Sequence, residues 1–473
     1  MIRAQEARKG LFVSCEEIAE ASPRSFYKRL GGVGVDWGKL AEPLRGAFSE
    51  TTGRPTDPAV YLKIFLVSYW ENSEYDTELA DRISDSLAIR EFLGYGLTER
   101  PPDHSSISRV RKQLSRFCDL ESVLSESVRL CAAASLVGGE SVGIDTTLIP
   151  ARVSRDSLIH LDTGLKVREH LARCLEKNGE APKLESKDLV SGSDPDARLS
   201  RKPKVPLGFH YKVTHSVDYK RRVIVSAGAT WADEGDSACA SAALRRSVRT
   251  LGGGLSRAVC DAGMDDAKFH AVAEELGVQA LTNTVKPKPP GSGSFGKEMF
   301  AYEEERDAYR CPNGRLLKRV KGSWRGRIRY RRMVSGCVDC ALREYCVPPR
   351  ARFKEVSRSS CESSRERMKA SSGTRAGRAY LGRRKGVVEL TFAHAKEHGG
   401  LRRISTRGLG AADAKAKLGA VAWNLKMLVP GIGSARRATQ PVRRAAAALL
   451  AAWTALWRSS VGGFSRRAKC MAA

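Results

Sequence analysis

The 473-residue chain lacks any apolar run long enough to cross a bilayer. The longest, Ala445 to Trp457, falls short of the roughly 20 residues that a spanning helix needs, and it reads as an ordinary helix. The opening MIRAQEARKG has no apolar segment of the kind a secretory leader carries. A membrane protein is therefore not expected. Acid is short relative to base: 53 Asp and Glu stand against 81 Lys and Arg, leaving a net charge of +28. An excess of this size points to a polyanionic partner, above all nucleic acid, over the plainer alternative of a solvated basic surface. The twelve cysteines lack the regular spacing of a disulfide framework, so reduced thiols in a cytosol are expected. No internal repeat is visible. The length suits roughly two to four domains and is ample for a real core.

What is present divides the chain into five parts. Residues 1–135 read as helical. PAVYLKIFLVSYW (58–70) is a buried helix, and DTELADRISDSLAIREFLGYG (76–96) gives two short amphipathic ones stopped by Gly94 and Gly96. In PPDHSSISRVRKQL (101–114), Ser105 or Ser106 can cap a helix that Arg109, Arg111 and Lys112 load with positive charge. That segment suits either a DNA-binding helix pair or a packing and dimerisation module. Residues 136–285 change period: ESVGIDTTLI is a strand, GFHYKVTHSVD and RRVIVSAGATW a hairpin, and helices alternate with the strands LSRAVCDAG and VQALTNTV. This is a mixed α/β core. Residues 175–206 within it read as polar loop. KPKPPGSGSFGKE breaks the chain and opens a basic insert over 286–375. Residues 376–431 return to helix, the last one stopped by Pro430-Gly431, and 432–473 form an Arg- and Ala-rich tail.

Three carboxylates carry the chemistry. Asp145 lies inside the apolar run ESVGIDTTLIP, where an uncompensated charge costs several kcal/mol. Asp261 ends the strand LSRAVCDAG, and Glu389 lies on a helix in RRKGVVELTFAHAK. Strand ends that point the same way converge on one crevice. Carboxylates gathered there repel one another unless divalent cations reverse the balance, and hard oxygen donors suit magnesium or manganese. Two such ions can activate an attacking oxygen and stabilise a leaving one in phosphoryl transfer. Each acid alone is more often a local turn or capping residue; the ordered set carries the argument. Lys385 and Lys396 flank Glu389 at helical spacing and suit phosphate contact. His104, His210 and His215 read as structural, and Asp194, Asp196 and Asp236 are further acids, Asp196 suited to pairing with a nearby arginine.

Cys311, Cys337, Cys340 and Cys346 lie in the insert as YRCPNG and SGCVDCALREYC. Cys337-x-x-Cys340 is a zinc-knuckle spacing, and the other two complete a candidate four-cysteine zinc site; an iron–sulfur cluster or free thiols are the alternatives. LLKRVKGSWRGRIRYRR (316–332), with Trp324 and Tyr330 between the bases, suits a phosphate track with aromatic stacking, or a basic hairpin that only packs.

In order, IDTTLIPA, DPDAR, GFHYKVTHSVD, VCDAGMDD and RRKGVVELTFAHAKEHGGLRR resemble the DDE transposases of bacterial insertion sequences, over roughly residues 50 to 430. PDHSSISRVRKQL resembles the end of their helical N-terminal domain. The resemblance implies a ribonuclease-H-like core split by the insert, with Asp145, Asp261 and Glu389 as catalytic metal ligands for two Mg2+ or Mn2+ ions. It implies cutting and joining of double-stranded DNA at the element's ends by a homodimer, in the bacterial cytoplasm at the nucleoid. Lys396, Arg384, Lys385, Lys212, Arg109, Arg111 and Lys112 become the expected DNA contacts. The pattern departs from the family where Lys385 holds an arginine position with Arg384 beside it, where Gly382 holds a tyrosine position with Tyr380 nearby, and where Met264 stands for a tyrosine. A nuclease that cuts without joining, and a decayed DNA-binding copy, remain the alternatives.

Overall fold

The structure, a computed structural model, describes residues 25–48, 57–178, 188–202, 205–283, 295–324, 327–348 and 350–435. The basic tail and most of the Pro/Gly break lie outside them. Among the described residues, no helix is long and apolar enough to cross a membrane.

The described residues begin with seven α-helices: α1 (Phe26–Gly31), α2 (Trp37–Ala41), α3 (Pro58–Trp70), α4 (Asp76–Asp85), α5 (Leu87–Leu93), α6 (His104–Phe117) and α7 (Leu120–Ala133). Asp57 caps α3 by accepting from Ala59 N, and Pro58 fills the first position, where no amide donor is needed. Leu62, Ile64, Phe65, Leu66 and Val67 are fully buried, as the unbroken apolar stretch predicts. Ser86 caps α5 and Gly94, at φ 85°, closes it in the left-handed region, so the expected stop is present. The cap of α6 is Asp103, whose carboxylate accepts from Ser106 N at 2.8 Å, in place of the expected Ser105 or Ser106.

The central sheet contains β1 (Ser141–Pro150), β4 (Arg198–Lys202), β5 (Val205–Asp218), β6 (Ile224–Trp231), β7 (Arg257–Cys260) and β8 (Gln279–Thr282). A small ribbon, β2 (Leu158–His160) with β3 (Leu189–Ser191), and the helix α8 (Val167–Asn178) lie between β1 and β4 in the chain. β3 and β4 therefore occupy part of the stretch expected to be loop; β3 is only three residues long and β4, RLSRK, is polar. β5 runs antiparallel to β1, and β4 and β6 share its other edge end to end. On the far side of β1, β7 and then β8 run parallel. Helices α9 (Asp236–Leu251) and α10 (Ala267–Glu275) cover one face, where Val142 and Ile144 pack with Ala240, Leu244 and Phe269.

The insert is a folded module. β9 (Ala301–Glu303), β10 (Ala308–Arg310), β11 (Leu316–Trp324), β12 (Arg327–Met333) and β13 (Phe353–Ser359) form an antiparallel sheet, with the short α11 (Arg343–Cys346) between the last two. Phe300, Tyr309, Leu317, Tyr330 and Val356 make its small core. Helix α12 (Glu362–Ser372) ties it to the central domain. Arg365 grips Asp265, at 2.8 and 3.0 Å, and His270 bonds the same carboxylate at 2.9 Å. Burial alone would raise the Asp265 pKa; these hydrogen bonds and the arginine charge outweigh it and hold the carboxyl far below its usual range. Such a depressed pKa stabilises the fold above the unfolded value of about 4 and loses that contribution as pH falls below it. Asp265→Ala is expected to cost about 3 kcal/mol at neutral pH, because Arg365 loses its partner at a largely buried pair. Urea unfolding should show the gap from wild type narrowing at acid pH.

Two helical stretches close the fold. α13 (Arg375–Arg384) runs through a π-helical turn, Lys385–Glu389, into α14 (Leu390–His398). α15 (Leu409–Ala435) then packs against β6, α7 and α3. Pro430-Gly431 do not stop it, contrary to expectation; the helix continues to Ala435. Buried Asn424 bonds both backbone groups of Ile224 and the Ser127 hydroxyl, pinning α15 to β6 and α7 together.

Candidate active site

Asp145 lies on β1, paired across to His215 on β5. On the other side Val142 pairs with Ala258 and Gly143 with Val259, so extending that parallel register by two residues sets Asp261 level with Asp145. Level residues on neighbouring strands face the same way. That face is the one α13, the π turn and α14 cover. Three alternate residues of β1 meet it: Gly143 faces Val388, Asp145 meets Arg384, and Thr147 accepts from Lys396 Nζ at 2.7 Å. A Cβ at position 143 would collide with Val388 and stand 3.2 Å from the Tyr219 ring. Glycine in the strand thus lets the helix close over the acids, a feature the sequence signalled only as a glycine inside a strand pattern.

Arg384 bridges the two aspartates. Nη1 lies 3.0 Å from Asp145 Oδ2 and Nη2 lies 3.3 Å from Asp261 Oδ1. Burial pushes the Asp145 carboxyl above the usual carboxylate range, against the pull of Arg384 and of a hydrogen bond from Thr146 N; the Asp261 charge adds to the rise. Burial works against the Arg384 charge, and Asp145, Asp261 and then Glu389 more than restore it. Glu389, exposed at the end of the π turn, is thus within electrostatic reach of Arg384. Among the described residues, no three His, Cys, Asp or Glu side chains are gathered closely enough to form a ready metal site.

The extra residue of the π turn explains the departure noted at this helix. Arg384 is buried on the acids, whereas Lys385 is exposed. Tyr380 lies under the Arg257 guanidinium, with its hydroxyl 3.1 Å from Arg257 Nη1, and its backbone carbonyl accepts from Tyr219. Phe392, on α14, stacks on His215 at 4.2 Å between ring centres, and burial drops the His215 pKa to about 3, so this ring stays neutral.

Other expected contacts sit elsewhere. Lys212 lies on the α9 side of the sheet, buried, and donates to the Glu234 carbonyl and to Asp236 at 2.8 Å. Its charge is spent inside the fold, which corrects its reading as a DNA contact. Asp236 also bonds Lys202 and Thr146. Arg111 is ion-paired with Asp76 at 2.8 Å and lies over the Phe65 ring, joining α6 to α4 and α3. Arg109 and Lys112 on the same helix are exposed. Asp196 accepts from Leu409 N at 2.9 Å and Asp194 from Gly408 N and the Tyr211 hydroxyl, so DPDAR anchors the start of α15 and Asp196 caps a helix where an arginine partner was expected. Tyr330 is fully buried in the insert core and bonds Asp307, so it is not a stacking platform.

In the insert, Cys311, Cys337 and Cys340 lie within electrostatic reach of Cys346, without forming a ready metal site among the described residues. Burial raises the Cys346 thiol pKa, Lys354 opposes this, and Cys311, Cys337 and Cys340 each raise it further. Cys311 Sγ accepts from Arg315 N at 3.3 Å and Cys340 Sγ from Asn313 Nδ2 at 3.4 Å.

Known proteins add the following. Residues 16–113 match the transposase domain family DUF772, and residues 310–429 match the transposase DDE domain family, which spans the four cysteines, Glu389 and Lys396. No curated protein matches. Among solved structures, a piggyBac transposase synaptic complex with hairpin DNA is similar at 12% identity and a TM-score of 0.35, over 88% of this chain and 77% of that one. Both matched families are transposase families, one at the helical N-terminal end of the chain and the other over the insert and the helices that follow it.

Proposed function

We propose that the protein binds the terminal inverted repeats of its element and cuts and joins DNA there with the help of divalent metal. One observation carries this reading: Asp145 and Asp261, 116 positions apart in the chain, converge on a single cation, the Arg384 guanidinium. Two carboxylates aimed at one positive centre fit a hard divalent ion as well. Bound there, Mg2+ or Mn2+ would activate the attacking oxygen and stabilise the leaving one. Glu389 is the proposed third ligand. Lys396, held over β1 by Thr147, and Lys385, exposed beside the acids, would bind flanking phosphates and fix the scissile strand.

The strand order supports a ribonuclease-H-like core: an antiparallel trio of β6, β5 and β1 continued by parallel β7 and β8, with acids on adjacent strands. In this reading residues 136–285 and 376–431 are the two parts of that core, and 1–135 a helical DNA-binding and dimerisation domain with Arg109 and Lys112 on its surface. The net charge of +28 supports duplex DNA as partner in the bacterial nucleoid, and two ends cut together require a homodimer.

The test is purified protein with a duplex carrying the element's ends and Mg2+. Cleaved and joined products that vanish with EDTA support the reading. Hydrolysis without joining would make it a nuclease, and binding without cleavage in Mg2+ or Mn2+ would make it a non-catalytic DNA-binding protein.

Four cysteine sulfurs, soft donors in an insert whose core has only five apolar side chains, fit a structural zinc in residues 286–375. Metal analysis should then find one zinc per chain in protein purified without chelator. Cys337→Ser should lose it and lower the insert's resistance to protease, while Cys361→Ser changes neither.

A further inference from the structure

We propose that Arg384 is a built-in counter-cation of the acid pair, which occupies the metal's place and has to release at least one aspartate before a divalent ion can bind. This rests on the reading of Asp145 and Asp261 as metal ligands. The geometry carries it. A guanidinium usually grips one carboxylate with two parallel bonds. Here its two terminal nitrogens are divided between two carboxylates, at 3.0 and 3.3 Å. The side chain is 10% exposed, while the neighbouring residues Arg383 and Lys385 are exposed. It is therefore a fixed bridge rather than a passing surface contact.

Two carboxylates facing one point repel each other, and one monovalent cation cancels only one of their two charges. A divalent ion cancels both. Arg384 thus keeps the pair assembled without metal, yet its bonds use Asp145 Oδ2 and Asp261 Oδ1, oxygens that face the shared centre. Metal and guanidinium exclude each other from them. The place where the side chain can yield is adjacent: Arg384 is the last residue of α13 before the π turn. Return of that turn to α geometry would rotate Arg384 by about 100° relative to Glu389.

The charge and the occupancy of Arg384 can be separated. Lysine keeps the charge but has one nitrogen, so it cannot divide its bonds as arginine does. Mn2+ binding to the full chain, read as loss of the free-ion EPR signal, is measured for wild type, Arg384→Gln, Arg384→Lys and Asp261→Asn, with thermal unfolding of each to confirm folding. The proposal expects Arg384→Gln to bind Mn2+ at least about tenfold more tightly than wild type, in the range of ordinary coupling between two ligands of one site. Arg384→Lys is expected to bind more tightly too. Unchanged or weaker binding by Arg384→Gln would overturn it, the weaker case meaning that the arginine organises the acids for metal. Tightening in the glutamine variant with lysine equal to wild type would also overturn it, leaving only a charge effect. Should Asp261→Asn bind Mn2+ as wild type does, the metal-site reading itself fails, whatever the arginine variants do.

Discussion

Asp145→Asn and Asp261→Asn are each expected to lower Mg2+-dependent DNA cleavage by about a thousandfold. The amide keeps the shape of the carboxylate and removes its charge, so the loss falls on metal. Several kcal/mol of transition-state stabilisation is the usual scale of a catalytic metal, and each 1.36 kcal/mol is tenfold in rate. Binding to the same duplex should hold or tighten, since one negative charge leaves a surface that attracts phosphate. Cleavage is measured on a labelled duplex with the protein in excess, and binding on the same duplex in Ca2+. The two positions differ in one respect. Asp145 is largely buried and Asp261 is half-exposed, so Asp145→Asn should also shift thermal unfolding more than Asp261→Asn. Retention of cleavage by both variants would leave the aspartates as structural partners of Arg384 and nothing more.

Gly143→Val is expected to reduce cleavage at least as far as it reduces stability. The new side chain would need the space that Val388 and the Tyr219 ring now fill. Overpacking of this kind costs about 1–3 kcal/mol. The displaced segment is the turn between Arg384 and Glu389, so the strain is relieved at the acids. The smaller Gly143→Ala should show the same defect in lesser degree, and Val388→Ala in the same chain should restore much of it. Neighbours that share one space couple in this way, whereas independent sites add. Wild-type cleavage by Gly143→Ala would mean that the approach of this helix to β1 is not needed for the chemistry.

Much of the central domain could be read from residue pattern. The alternation in β5 and β6 and the apolar runs of β1, β7 and β8 are tertiary signals written locally, because each strand packs one or both faces against a helix. The insert was opaque for the converse reason. Its strands carry Lys and Arg on exposed and, at Lys354 and Arg358, buried positions, and its core depends on five apolar side chains from separate stretches. β4, RLSRK, has no apolar period at all and exists because β5 offers it an edge. Asp145 and Asp261 were legible as acids within or ending apolar strands, and the parallel register explains why they meet. Arg384 as their partner was not, since helical spacing of four and seven counts from Glu389 to Lys385 and Lys396, and one extra residue in a π turn moves the contact to the neighbour. Lys212 failed for a different reason. A lysine in a strand reads as a surface charge, and only the fold places Asp236 where it can bury that ammonium.

Glu389 is the acid on which the account leans most, since it completes the proposed triad from the helix that returns after the insert. The most direct test is excision of a marker flanked by the element's own ends, with wild type and Glu389→Gln expressed to equal levels. The account predicts excision by wild type and none detectable with Glu389→Gln. Equal excision by the two would contradict it, and would remove Glu389 from the chemistry.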